Sequence, residues 1–278
     1  MTDWHDRHVL VTGASSGVGL AAAEQAAGRG AHVTLLARDA GRLEAARESV
    51  AAVRRSPSQR VAVVTADVSS FEQVSGAVSS AVAELGPVDV LIAAAGYCYP
   101  ARFTEMPIEE FAGQVGTNLL GSIYAARLVA GSMIERRRGH IVLFSSIGGH
   151  IGVYGYSGYS PAKFGVIGLA EVLRSELKPH GIGVSVVCPP NVDTPGYARE
   201  RAIEPPETAR VNGNARAVPP ADVARRALAA VDGGRFMVMP GPGYEALRRL
   251  KGLVPEAFFA FTDRDVAAAR KAVNADAD

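Results

Sequence analysis

The chain has 278 residues, of which 48% are apolar and 21% charged, with a formal net charge of +1. That length suits one large α/β domain with a well-buried core. So even a charge balance excludes a nucleic-acid binder driven by a basic field, and Arg136-Arg137-Arg138 reads as a solvated helix end.

The expected elements alternate from the first residues onward. The opening MTDWHDRHVLVTGASSG carries no apolar signal core, because a strand at 8–11 begins almost at once. A Gly-rich turn and an Ala-rich helix at 18–29 follow. Further strands are expected at 32–37, 61–65, 88–93, 141–145 and 184–188. These runs are β-branched and lack polar alternation, as parallel strands buried on both faces do. Strand–helix alternation of this kind implies a Rossmann-like doubly wound parallel sheet, with ligands at the carboxyl ends of its strands. Pro189-Pro190, Pro205-Pro206 and Pro219-Pro220 then punctuate the chain, so residues 190–218 are expected to be a loop-rich lid over the substrate. A helix at 220–231 and a strand at 235–238 complete the sheet. Residues 1–243 thus read as one dinucleotide-binding catalytic domain and 244–278 as a helical tail. The tail mixes Leu247, Leu250, Leu253, Val254, Phe258, Phe259 and Phe261 with Arg248, Arg249 and Lys251. It reads either as an amphipathic segment lying on a membrane surface or partner, or as a helix packed on its own domain. No apolar run reaches the length of about eighteen residues that a spanning helix needs. Two cysteines, Cys98 and Cys188, offer neither a disulfide framework nor metal-ligand spacing. No metal is expected, and two reduced thiols suit a cytoplasmic compartment.

The turn Thr12-Gly13-Ala14-Ser15-Ser16-Gly17-Val18-Gly19 joins the first strand to the first helix. Glycines there let the backbone approach a pyrophosphate, which meets the N–H groups and positive dipole end of the helix. Its spacing is G-x3-G-x-G rather than the commoner G-x-G-x-x-G. The second strand ends at Ala37-Arg38, with Arg42 one turn later, where an acidic residue would instead select NAD. Arginines pair with phosphate, so these two favour the 2′-phosphate of NADPH; the plainer reading is two surface arginines flanking Asp39. Asp67-Val68 is placed to meet the adenine edge, unless Asp67 is only a turn residue.

Tyr159 and Lys163 stand four apart in GYSPAKFG, on one face of a helix. Pro161 is tolerable only in a first turn, which puts Tyr159 at the start of that helix. A nearby ammonium favours the phenolate and should lower the tyrosine pKa toward the working range. Ser146, just past the strand at 141–145, is placed to donate to a carbonyl oxygen as charge develops, with Ser145 the competing candidate. Asn118 in VGTNLLG is mid-helix, where asparagine is disfavoured; it either holds a water near the lysine or accommodates a local bend.

With TGASSGVG, Asp67-Val68, AAAG at 93–96, Asn118, Ser146 and the Tyr159/Lys163 pair in order, the chain resembles the short-chain dehydrogenase/reductases over residues 7–239. The resemblance implies a catalytic tetrad of Asn118, Ser146, Tyr159 and Lys163. Lys163 would also hold the nicotinamide ribose, and Asn118 a water in a proton relay. It further implies cofactor contacts from Gly13, Ser15, Ser16, Gly17, Val18, Gly19, Ala95, Gly96, Pro189, Val192 and Thr194. Dimers or tetramers built through the helices bearing Asn118 and Tyr159 are implied as well. AAAG departs from the family's N-N-A-G, which puts the rigidity of the central sheet in question. Within the family, residues 158–200 and 204–208 are similar to the 3-ketodihydrosphingosine reductases, the double proline Pro189-Pro190 being distinctive. That similarity implies NADPH-dependent reduction of a long-chain keto-sphingoid lipid at a membrane surface. A reductase of another hydrophobic ketone, steroid or polyketide-like, and a non-catalytic NADPH-binding sensor are the other readings.

Overall fold

The computed structural model describes residues 3–213, 216–239 and 242–275. Residues 214 and 215 of the expected lid and 276–278 of the expected tail lie outside them.

Among the described residues, seven parallel strands form one sheet in the order β3-β2-β1-β4-β5-β6-β7. They are β1 (His8–Thr12), β2 (His32–Ala37), β3 (Val61–Thr65), β4 (Val90–Ala93), β5 (Gly139–Phe144), β6 (Ile182–Val187) and β7 (Met237–Val238). Helix α1 (Gly17–Ala27), α2 (Ala40–Ala52) and α9 (Pro220–Gly233) pack on one face. On the other lie α3 (Phe71–Leu85), α5 (Gly121–Arg136), which continues from α4 (Ile108–Val115), and α6 (Tyr159–Leu177). Successive residues of β1 serve opposite layers: Val9 and Val11 pack toward α1, Leu10 toward α3 and α5. All three are fully buried. This is why the strands read as unbroken apolar runs, and each such side chain stabilises the fold by about 1.5–3 kcal/mol.

Strand order reverses between β1 and β4, the point at which a doubly wound sheet opens a crevice. Thr12, at the carboxyl end of β1, pairs with Leu36 on one side and Ala93 on the other. Its hydroxyl accepts from the Ala95 N–H at 3.2 Å. A β1 side chain thus braces the end of β4 where AAAG supplies no asparagine amide.

The segment expected as loop at 190–218 contains two short helices, α7 (Pro195–Ile203) and α8 (Pro206–Asn212). Here the prolines start helices rather than break the chain: both helices carry proline in their first turn, where the missing N–H has no intrahelical partner anyway. Thr194 caps α7 by accepting from the Tyr197 N–H at 3.1 Å.

The tail is helical, as α10 (Pro242–Leu253) and α11 (Pro255–Ala275). It packs on its own domain: Phe258 is buried, α11 lies against α8, and Lys251 Nζ donates to the His150 carbonyl at 2.6 Å. The same ammonium stands 5.0 Å over the Phe164 ring of α6. Leu253 and Phe261 nevertheless remain 80% and 65% exposed, so the helices bury only part of their apolar surface. Nothing is described of the Leu247 side chain. No described helix is long and apolar enough to cross a membrane.

Candidate active site

A cleft of about 380 Å³ opens at the carboxyl ends of β1 and β4, within the size range of small-molecule sites. One end is the glycine turn. Gly13 and Gly17 adopt φ of +68° and +58°, which side-chain-bearing residues resist. A Cβ on Gly13 would stand 2.7 Å from the Ala95 Cα, and one on Gly19 would stand 2.3 Å from the Gly13 carbonyl oxygen. Gly13 and Gly19 therefore let α1, β1 and the end of β4 close on one another, Gly17 leaves room for the Thr194 side chain, and the N-terminus of α1 stays bare. Ser16, its N-cap, makes no side-chain capping bond. Ser15, Ser16 and Val18 line the cleft with the glycines, so the cradle fits a pyrophosphate.

Arg38 and Arg42 line the same end, both largely exposed. Asp39 caps α2 by accepting from the Arg42 N–H at 2.9 Å and lies 3.7 Å from the Arg42 guanidinium. Val68 lines the cleft; Asp67 is not among its lining residues. The Asp67 carboxylate instead accepts from Ser69 N–H and O–H at 2.9 and 2.7 Å, the bonding of a turn residue. Burial pushes its carboxyl up, but the two Ser69 bonds and the Arg38 charge outweigh that and hold it below the usual range. Ala95 and Gly96 form the central wall, while Pro189, Val192 and Thr194 form the opposite rim.

The reacting end is built by α6, the end of β5 and the break between α4 and α5. Helix α6 begins at Tyr159, with Pro161 in its first turn. Lys163, one turn on, is buried, its Nζ lying 5.5 Å from the Tyr159 ring centre and donating to the Phe144 carbonyl at 2.9 Å. Of the two serines, Ser145 donates to the Lys163 carbonyl at 2.8 Å and is buried, tying β5 to α6. Both line the cleft, but it is Ser146 that faces the phenol. Asn118 sits in a π-helical turn, Gly116–Leu120, where an extra residue loosens the helix. It is fully buried, its Nδ2 donating to the Tyr97 carbonyl at 2.9 Å and its Oδ1 accepting from the Tyr97 N–H at 3.2 Å. Gly96 lies between them: a Cβ there would meet Asn118 Oδ1 at 2.4 Å and Lys163 Nζ at 3.2 Å.

The electrostatics correct one expectation. Burial pushes the Tyr159 phenol well above its ordinary value, and the group that pulls it back is Ser146 rather than Lys163. Burial also lowers the Lys163 ammonium to about 8. Desolvation of both groups outweighs their mutual influence while the lysine donates to a backbone carbonyl. Tyr159 is thus held as a protonated phenol. Burial raises both thiols too, Cys188 to about 12, so neither is an activated nucleophile.

The sequence did not single out Tyr156, Glu200, Tyr197 or Asn191, all of which line the cleft. Tyr156 stacks edge-on against Tyr159, with ring centres 5.8 Å apart, and donates to Glu200. The spacing of Tyr156 three residues before Tyr159 was available as a signal. A lone glutamate in a proline-rich stretch carries none.

Residues 7–204 match the family model described as short chain dehydrogenase. The chain is 38% identical over 250 residues to the 3-dehydrosphinganine reductase of Danio rerio, covering 89% of this chain and 75% of that one. It is 36% identical, with the same coverage, to the 3-ketodihydrosphingosine reductase of Bos taurus. Among solved structures, a short chain dehydrogenase/reductase from Burkholderia phymatum in complex with NAD superposes with a TM-score of 0.79. Its sequence identity is 26%, over 91% of this chain and 95% of that one.

Proposed function

The chain belongs to the short-chain dehydrogenase/reductase family, and from that premise we propose that it reduces a long-chain ketone such as 3-ketodihydrosphingosine to the secondary alcohol with NADPH. The observation that carries this is the Tyr159 phenol and the Ser146 hydroxyl opening together into the cleft that holds the glycine turn.

Each residue has a role that follows from its place. The glycine turn and the N-terminus of α1 hold the pyrophosphate, while Arg38 and Arg42 meet the 2′-phosphate. NADPH, when bound there, supplies the hydride. The substrate oxygen sits between the hydroxyls of Ser146 and Tyr159, each donating to it as negative charge develops. Tyr159 then passes its proton to that oxygen. A phenol held protonated suits this direction, because an alkoxide is a stronger base than a phenolate and the transfer runs downhill. Lys163 holds the nicotinamide ribose and places a cation beside the phenolate that results. Asn118, fixed at both amide atoms, holds the π-turn open for a water that returns the proton.

The similarity to reductases named for sphingoid ketones supports a lipid substrate. Leu250, Leu253, Phe259 and Phe261 on α10 and α11, with Val254 between the helices, are all substantially exposed and support peripheral contact with a membrane surface. Membership of the family supports a homodimer or homotetramer built through α4, α5 and α6. The test is NADPH oxidation with 3-ketodihydrosphingosine: turnover in the wild type, and a loss of about 10²–10⁴-fold in Tyr159→Phe with NADPH still bound. Turnover confined to steroid or polyketide-like ketones would remove the lipid substrate. NADPH binding without reduction of any carbonyl would remove the reductase.

A further inference from the structure

We infer that Glu200 is an ammonium-binding residue in the substrate site, and that it selects ketones carrying a protonated amine on the carbon next to the carbonyl. The inference deepens the reductase reading above and rests on it.

Two carboxylates line the cleft among the described residues, Asp39 and Glu200. Asp39 is at the phosphate end, capping α2 beside Arg42. Glu200 is at the reacting end, projected by α7 and half-buried beside Tyr156, Tyr159 and Cys98. One of its oxygens, Oε1, accepts from the Tyr156 hydroxyl. That hydroxyl in turn accepts from Asn212 Nδ2 at 2.9 Å, and Asn212 also donates to Glu204 at 3.3 Å. The network fixes where the Glu200 carboxylate points. It leaves Oε2 without a hydrogen-bond partner among the described residues, although that atom is not one of the buried orphans.

No described cation lies within ion-pair distance of Glu200; the neighbouring Arg201 is paired with Glu204 instead. A carboxylate drawn into a partly apolar cleft without an ion-pair partner is destabilising, and burial raises its pKa by more than the Tyr156 bond and the more distant Arg201 charge lower it. An ammonium group arriving with the substrate offsets that cost. The same complementarity works from the substrate's side. An amine next to the carbonyl enters a site that already holds the Lys163 ammonium, so it needs an anion of its own. Glu200 is close enough to Tyr159 for its charge to disfavour the phenolate. Amine and carbonyl sit on adjacent carbons in such a ketone, which matches a carboxylate one aromatic ring away from the phenol that meets the oxygen.

The experiment compares kcat/KM for 3-ketodihydrosphingosine and for its N-acetyl derivative, which has the same chain and no charge. In the wild type the free amine is favoured at least about tenfold. In Glu200→Gln the ratio falls toward one, chiefly through KM for the amine, and Glu200→Asp restores part of it. Three results would overturn the inference: a wild type that treats the two ketones alike, a ratio that survives Glu200→Gln, or an equal loss on both substrates. The last would make Glu200 a brace for Tyr156. The wild-type ratio decides even where a variant does not fold. A wild type that reduces neither ketone sinks the reductase reading itself, and this inference with it.

Discussion

Alanine at Gly19 would test the phosphate turn most directly. The added methyl would stand 2.3 Å from the Gly13 carbonyl oxygen, 2.8 Å from its carbon and 3.3 Å from the Ala14 Cα. All three atoms are main chain, so no side chain can swing aside. The turn must open by about 1 Å to restore ordinary contact. Overpacking costs about 1–3 kcal/mol, and an unyielding backbone places this case at the upper end. For a chain of this size, about 3 kcal/mol lowers Tm by roughly 5–10 °C. Opening the turn also draws N–H donors away from the pyrophosphate. The loss of one or two such bonds, at about 1.5 kcal/mol each, weakens NADPH binding ten- to hundredfold. Gly76→Ala is the matched control: it lies within α3, and a Cβ there would meet nothing within 4 Å. That substitution should be neutral or stabilising by about 0.5–1 kcal/mol. Circular-dichroism melting and NADPH fluorescence titration measure both effects. Wild-type Tm and NADPH affinity in Gly19→Ala would refute the assignment of this turn.

Arg38→Ala and Arg42→Ala should each reduce the preference for NADPH over NADH by about tenfold, read as the ratio of the two kcat/KM values, with an unchanged ratio counting against both arginines. Lys163 carries a linked effect on stability. Its folded value of about 8 lies below the ordinary 10.5, so between these pH values the unfolded chain holds a proton that the folded chain has released. Stability should therefore rise across that window, and below it the burial cost, on the order of 3 kcal/mol, is fully present. Lys163→Met should melt higher at neutral pH while losing turnover, and denaturant titrations from pH 7 to 10.5 should flatten. On the acid side, burial holds His140 down at about 4 from its ordinary 6.5. As pH falls through that interval the unfolded chain takes up a proton the folded chain refuses, so stability falls by about 3 kcal/mol. His8, lowered by burial as well, acts in the same direction. A denaturation midpoint that stays flat from pH 7 to 4 would contradict both histidine assignments.

The double-proline pairs show where local reading stops. Pro205-Pro206 and the Pro195 after Thr194 are breakers in a linear chain, yet each of Pro195 and Pro206 lies in the first turn of a helix. Whether a proline ends a segment or begins one depends on what the next turn packs against, and α8 lies against α11, some fifty residues later. The tail likewise had two readings in sequence. The Lys251 contacts with His150 and Phe164 decided for packing on the domain, because they join residues about a hundred positions apart.

Periodicity and spacing alone determined the sheet, the glycine turn and the Tyr159–Lys163 face, because each is a short-range consequence of backbone geometry. Gly13, Gly17 and Gly19 are legible for that reason: a missing Cβ is a local requirement, whatever surrounds it. Pairing, burial and charge environment were decided only by the tertiary structure. It tied the Ser145 hydroxyl to the Lys163 carbonyl and turned the Ser146 hydroxyl toward the phenol, and it aimed Lys163 at a backbone carbonyl. It also set Glu200 beside the reacting end. Desolvation depends on every atom within reach of a group, and most of those atoms come from distant parts of the chain.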